Sequence, residues 1–255
     1  MKKSLMLNLC CIVLLLITCS GCFNQSALLE DEKVLVVGTE SNFPPFSFKE
    51  NNELTGFDIE LIEEVAKRLD KKIEFKDMSF EALIPQVQVG SLHVIAAGMT
   101  PTKNREQVVH FTQPYIYGDP LYIVSLSDRP DVGSLEALKQ HKKVVVNQGY
   151  TADIFMSCIE GPELIRLETP AEAFLALQNN RADAFVTARN TLAPFFKKHD
   201  KALYTMVPID ETEERTALIV SKKCPKLLDQ IEEVLDTMKQ DGSMQKLKQK
   251  WGINA

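Results

Sequence analysis

The stretch Phe57-Asp58-Ile59-Glu60-Leu61-Ile62-Glu63-Glu64-Val65-Ala66-Lys67-Arg68-Leu69 carries its apolar residues at helical spacing. Ile59, Ile62, Ala66 and Leu69 fall on one face, with Asp58, Glu60, Glu63 and Glu64 mostly on the others. The helix sits between two short β-like runs, Val34 to Val37 and Ile73 to Phe75. Phe80 to Val89 is helical again and stops at Gly90, and Val94 to Ala97 is the next strand. Strands that alternate with helices in this way pair in parallel through crossover connections, which places the chain in the α/β class.

The alternation restarts further on. Leu121 to Val124, Val144 to Val146, Leu164 to Leu167 and Ala182 to Val186 read as strands. Helices fall between and after them. Ser134 caps one through Leu138, another spans Thr151 to Cys158, and Thr169-Pro170 opens a third that buries Ala173, Phe174 and Leu177. A fourth follows Val186 and runs to about Lys198. After a strand at Ala217 to Val220, Pro225 starts a helix with Leu228, Ile231, Leu235 and Met238 on one face. Gly242 stops it, and Ser243 caps a final helix ending near Trp251. The loops Gly118-Asp119-Pro120 and Asp210 to Thr216 flank the second unit and read as two connections between lobes. The sequence thus predicts a discontinuous lobe 1 (33–118 and 213–255) with lobe 2 (119–212) inserted into it.

The first residues read as an export signal. Lys2 and Lys3 precede an unbroken apolar run from Leu9 to Ile17, too short to span a bilayer. Ser20-Gly21-Cys22 then resembles a bacterial lipobox, although Cys19 stands where such boxes usually carry Leu. Residues 1–21 are therefore expected to be a signal peptide, Cys22 the lipidated residue, and 22–32 a short tether. The folded body would lie in the periplasm or on the extracellular face, anchored to the membrane. The chain carries 29 basic and 35 acidic residues, and loss of Lys2 and Lys3 deepens the acidic excess. That balance argues against nucleic acid as a partner. Four of the six cysteines lie in the leader. Cys158 and Cys224 remain, without metal-ligand spacing, and the four histidines are scattered. No metal and no cofactor is expected.

The loop Ala97-Gly98-Met99-Thr100-Pro101-Thr102-Lys103-Asn104-Arg105 carries the chemistry. Small residues leave backbone N–H groups open to a ligand, Thr100 adds a hydroxyl, and the planar fork of Arg105 matches a carboxylate with two parallel hydrogen bonds.

With these pieces placed, the chain resembles the polar-amino-acid solute-binding proteins of ABC importers, which include glutamine-, histidine- and lysine/arginine/ornithine-binding proteins. The likeness runs from Val34 to Trp251. It rests on Val37 to Phe46, Thr55-Gly56-Phe57-Asp58-Ile59-Glu60-Leu61, Phe80 to Pro85, Gly98 to Arg105, Gln148-Gly149-Tyr150-Thr151 and the ending Asp241 to Gly252. The resemblance implies a periplasmic binding protein type II-like fold, two α/β lobes joined by two hinge connections with the ligand cleft between them. It implies an amino acid or close derivative as ligand and a permease as partner, with no catalytic residue. By this likeness Arg105 pairs with the ligand carboxylate. The N–H of Thr100 and one near Gly149 to Thr151 complete that cradle. The Gly98 carbonyl and Thr100 hydroxyl accept from an ammonium, Phe43 and Phe80 sandwich the ligand side chain, and Glu40 reaches its far end.

One position departs from the pattern. The family places an acid for the α-ammonium just after the strand ending Val186-Thr187, where this chain has Ala188 followed by Arg189. Glu40 or Asp153 could substitute, the ligand could lack a free amine, or binding could be weak. Arg189 could even favour a second anionic group. A ligand-sensing surface lipoprotein and a cyclohexadienyl dehydratase-like enzyme on the same fold are the alternative readings.

Overall fold

The computed structural model describes residues 33–253, so the expectations placed on 1–32, Cys22 included, lie outside the described residues. The order opens with β1 (Val34–Thr39), a small antiparallel meander of β2 (Asn42–Phe43), β3 (Ser47–Glu50) and β4 (Glu53–Thr55), then α1 (Phe57–Arg68), β5 (Lys72–Asp77), α2 (Phe80–Val89), β6 (Val94–Ile95), α3 (Lys103–Glu106) and β7 (His110–Phe111). β8 (Ile116–Asp119) leads into β9 (Leu121–Leu126), α4 (Leu135–Leu138), β10 (Lys143–Asn147), α5 (Thr151–Met156), β11 (Glu163–Leu167), α6 (Pro170–Gln178), β12 (Ala184–Ala188), α7 (Arg189–Phe196) and β13 (Tyr204–Pro208). β14 (Glu214–Thr216) returns the chain to β15 (Ile219–Val220), α8 (Pro225–Gln240) and α9 (Ser243–Trp251).

Two five-stranded sheets result, one per lobe, in the orders β5-β1-β6-β15-β7 and β11-β10-β12-β9-β13. β1 lies parallel to β5 and β6, and β10 parallel to β11 and β12, as the crossover pattern requires. The strands that enter or leave through the connections run the other way. β9 is antiparallel to β12 and β13, and β15 to β6 and β7. A purely parallel reading fails there because a strand arriving from the other lobe needs no crossover helix.

The two connections are not loops, as the sequence suggested. β8 and β14 form an antiparallel pair of their own, with Glu214 opposite Asp119 and a register shift before Thr216. The last helix also starts differently: Ser243 is its first residue, and Gly242 precedes it in the left-handed conformation. Capping signals read correctly elsewhere. Ser134 accepts from the Ala137 N–H, and Thr169 with Glu172 forms a reciprocal capping box.

Each lobe has its own core. Lobe 1 packs Val37, Phe57, Leu61, Ile62, Val65 and Leu83 with Ile231 and Leu235. Lobe 2 packs α4 and α5 on one face of its sheet and Phe174, Leu177 and Leu192 on the other. Cys158 is exposed in lobe 2 and Cys224 is buried in lobe 1, so they are not partners. The helix α1 buries a wider face than its apolar spacing implies. Asp58, placed with the solvent-facing acids from sequence, is fully buried. It accepts from the Gly98 N–H and, at 2.6 Å, from the Tyr115 hydroxyl. Its carboxyl thereby pins the loop that follows β6.

Candidate functional site

The C-terminal ends of the parallel strands of both sheets face one another, the usual place for a crevice in open α/β sheets. A small cavity of about 20 Å³ lies there. Lobe 1 lines it with Phe43, Phe80, Gly98, Thr100 and Arg105, and lobe 2 with Asn147, Thr151, Ala188 and Thr191 among others. Gly98 adopts φ +61, and a Cβ there would run into the Phe43 ring, so the loop needs glycine both for its turn and for its close packing.

Arg105 is buried, and its guanidinium is held in place by carbonyls rather than by acids. Nη1 donates to the Thr100 carbonyl at 2.8 Å and Nη2 to the Gly149 carbonyl, across the cleft, at 2.7 Å. The guanidinium also lies over the Phe80 ring, 5.4 Å from its centroid. Burial lowers its pKa to about 10, with Glu214 pulling the other way. Among the described residues no carboxylate makes an ion pair with it. A buried cation without one is expensive unless an anion reaches it.

Glu214 is the acid that sequence reasoning missed. It lines the same cavity, accepts from the Thr100 hydroxyl at 2.8 Å and is hydrogen-bonded by the Thr151 side chain. Burial raises its pKa against those donors and against Arg105. The strand alternation of β14 turns Glu214 and Thr216 inward and Arg215 out. Reading Asp210 to Thr216 as a loop hid that signal. Asp153 does not fill the gap at Ala188. It accepts from the Gly149 N–H at 3.0 Å and pairs with Arg166 at 2.9 Å, so that N–H is also already spoken for. Arg189 is exposed and does not line the cavity.

Two of the buried oxygens on the lobe 2 side that stand without partners face this cavity. Asn147 Oδ1 and Thr191 Oγ1 both line the cavity and have no hydrogen bond within the protein. Buried polar atoms are nearly always paired, so these mark where a ligand's polar groups would be received.

The aromatic pair is arranged differently from a simple sandwich. Phe43 stacks on Phe46 at 5.1 Å and meets the Tyr150 ring edge-on, while Phe80 meets it at a tilt. Glu40 is buried at the end of β1, where its carbonyl accepts from the Ser47 hydroxyl and its carboxylate accepts from the Tyr150 hydroxyl at 2.6 Å. Burial pushes its pKa up to about 7; the Tyr150 bond lowers it, and Asp77 and Glu168 add to the rise. Glu40 also lines an adjoining depression with those two acids and Glu81.

Two hinged α/β lobes with a charged cleft between them define a type II periplasmic binding protein. The family described as bacterial extracellular solute-binding proteins, family 3, matches residues 35–254, and the chain belongs to it. A probable amino-acid-binding protein, YxeM of Bacillus subtilis (strain 168), is 31% identical over 93% of this chain and 91% of its own length. The arginine-binding extracellular protein ArtP of the same organism is 29% identical over 98% of both. Among solved structures, an ancestral arginine-binding protein bound to arginine superposes with a TM-score of 0.80 at 37% identity, covering 86% of this chain and 98% of that one. An ancestral amino acid-binding protein, a precursor of cyclohexadienyl dehydratase, does so with a TM-score of 0.79 at 32% identity, covering 89% and 99%. No described helix is long and apolar enough to cross a membrane.

Proposed function

We propose that this protein captures an amino acid outside the cytoplasmic membrane and delivers it to an ABC permease, without chemistry of its own. The observation that carries this reading is a buried guanidinium and a half-buried carboxylate, Arg105 and Glu214, lining one cavity without pairing with each other. A zwitterion satisfies both at once: its carboxylate meets the Arg105 fork and its ammonium meets Glu214, in place of the acid absent at Ala188. Gly98, Thr100 and Thr151 surround the same headgroup, and Gly149 orients the Arg105 fork through its carbonyl. The names of the relatives, amino-acid- and arginine-binding proteins, support the same ligand class. Against catalysis, no histidine lines the cavity among the described residues, and both Glu40 and Glu214 are already engaged by hydroxyl donors.

In this reading residues 1–21 are removed, Cys22 carries the lipid, 22–32 form the tether, and the lobes comprise 33–118 with 213–255, and 119–212. Mass spectrometry of the membrane-extracted protein checks the lipid. Titration calorimetry of the soluble body with the L-amino acids tests the rest: one or more bind, and Arg105→Ala, folded by circular dichroism, loses that binding. Near-wild-type affinity in that variant, or turnover of the ligand, refutes the reading.

A further inference from the structure

One side chain of lobe 2 is buried in the core of lobe 1. Tyr150 packs within the lobe 1 apolar cluster, and it is the one buried member of that cluster drawn from lobe 2 among the described residues. Its ring centroid lies 4.5 Å from that of Phe80 and 5.4 Å from that of Phe43, tilted 50° and 77° to them. Its hydroxyl donates to Glu40, and the residue is 8% exposed. Two backbone features aim it there. Gly149 takes φ +75, where a Cβ would press on Glu81 Cγ at 3.2 Å, and Tyr150 itself is extended at the start of α5 with its side chain uncommitted to capping. The two aromatic rings and the acid therefore already hold a flat group that ends in a hydrogen-bond donor. An extended cationic side chain would make the same demands on them.

We propose that Tyr150 is a tethered occupant of the side-chain subsite formed by Phe43, Phe80 and Glu40, and that it sets the length of the ligand. This rests on the amino-acid reading above. With the phenol in place only about 20 Å³ remains beside it, lined by Ala152, Val186 and Ala188 among others, which leaves no room for a long side chain. A long cationic one must displace Tyr150. A tethered group competes at an effective concentration in the millimolar range, which a dilute ligand does not match. If Tyr150 fills the subsite in nine closed molecules of ten, affinity for a ligand that needs it falls about tenfold.

The test is calorimetry on the soluble body with L-serine and L-arginine as short and long probes. The wild type prefers serine, and Tyr150→Ala shifts the arginine-to-serine affinity ratio by about tenfold or more toward arginine. Tyr150→Phe keeps the packing but frees Glu40 of its hydroxyl, and shifts the ratio the same way by less; it carries the test if the alanine variant melts too early. An unchanged ratio, or a wild type that prefers arginine and loses it in Tyr150→Ala, overturns the proposal while leaving the amino-acid reading intact. Failure of all three proteins to bind either probe, or any other amino acid, overturns both.

Discussion

Replacing Glu214 with glutamine separates its role in binding from its role in stability. The substitution keeps the size of the side chain and one oxygen to accept from the Thr100 and Thr151 hydroxyls, but removes the charge. A hydrogen bond between an ammonium and a carboxylate is worth about 1.5–3 kcal/mol. Two unit charges 4 Å apart at an effective dielectric constant of 20 attract by about 4 kcal/mol, which sets a ceiling. Glu214→Gln should therefore weaken amino-acid binding roughly 10- to 150-fold. Its effect on the unliganded fold is small, because two terms oppose. The half-buried carboxylate no longer has to be desolvated, while Arg105 loses a favourable neighbour. The melting temperature should stay within about 2 °C, less than 1 kcal/mol for a domain of this size. Calorimetry and a circular dichroism melt on the same preparation read both numbers. Affinity within twofold of wild type would show that the ammonium is held elsewhere, and a parallel collapse of both would make Glu214 merely structural. Adding Ala188→Asp to Glu214→Gln should restore part of the binding, since position 188 lines the same cavity. In the wild-type background it should not help, because two carboxylates in one cavity raise each other's pKa.

The buried acids also set the pH dependence of stability. Burial holds Glu40 and Asp58 at about 7 and Asp119 at about 6, all above their ordinary values of 4.5 and 3.8. The native state keeps these protons where the unfolded chain has lost them, so stability is fully present below the unfolded values and declines as pH rises to about 7. Holding one carboxyl protonated a single pH unit beyond its ordinary range is worth about 1.4 kcal/mol, so the melting temperature should fall by at least about 5 °C from pH 5 to pH 8. Below pH 4 the lowered Asp77 and Asp183 act in the opposite direction. A flat or rising melting temperature between pH 5 and pH 8 contradicts the burial of these carboxyls. Gly98→Ala should cost more than about 1 kcal/mol and disturb binding, because the position needs a positive φ and the new methyl meets the Phe43 ring. Denaturant melts with calorimetry check this, and unchanged binding would show the loop to be tolerant.

Much of the fold was legible because its elements repeat strong local signals. Phe80 to Val89 with Gly90 behind it reads correctly to the residue, and the Thr169-Pro170 start carries its own capping chemistry. The elements that escaped are short: the meander at 42–55, paired only within itself, and the strand Tyr204–Pro208 and the paired connections, held by strands far off in the chain. Runs of two to five residues carry little periodicity, and only their pairing register makes them strands. The candidate site followed the same division. Arg105 and Thr100 stand in a contiguous loop whose spacing is visible in the chain. Glu214 stands among neighbouring acids at 210–214 and differs from them only by facing inward. Asp58 looks like one more surface acid of an amphipathic helix, because burying it depends on Tyr115 and Gly98 arriving from elsewhere. Tyr150 lay in plain view within a matched motif, but its contacts span 70 to 110 residues of sequence.

The ladder between β8 and β14 puts Glu214 on the pivot of the molecule. Points on an axis are displaced least when the bodies around it swing. A carboxylate there would meet an incoming amine in much the same way whether the halves stand apart or together, and only its bond with Thr151 of lobe 2 favours one arrangement. That choice falls mainly to the other contacts between the lobes, Arg105 reaching the Gly149 carbonyl and Tyr150 reaching Glu40. Tyr150 thus serves the motion without touching the headgroup, whereas Arg105 serves both.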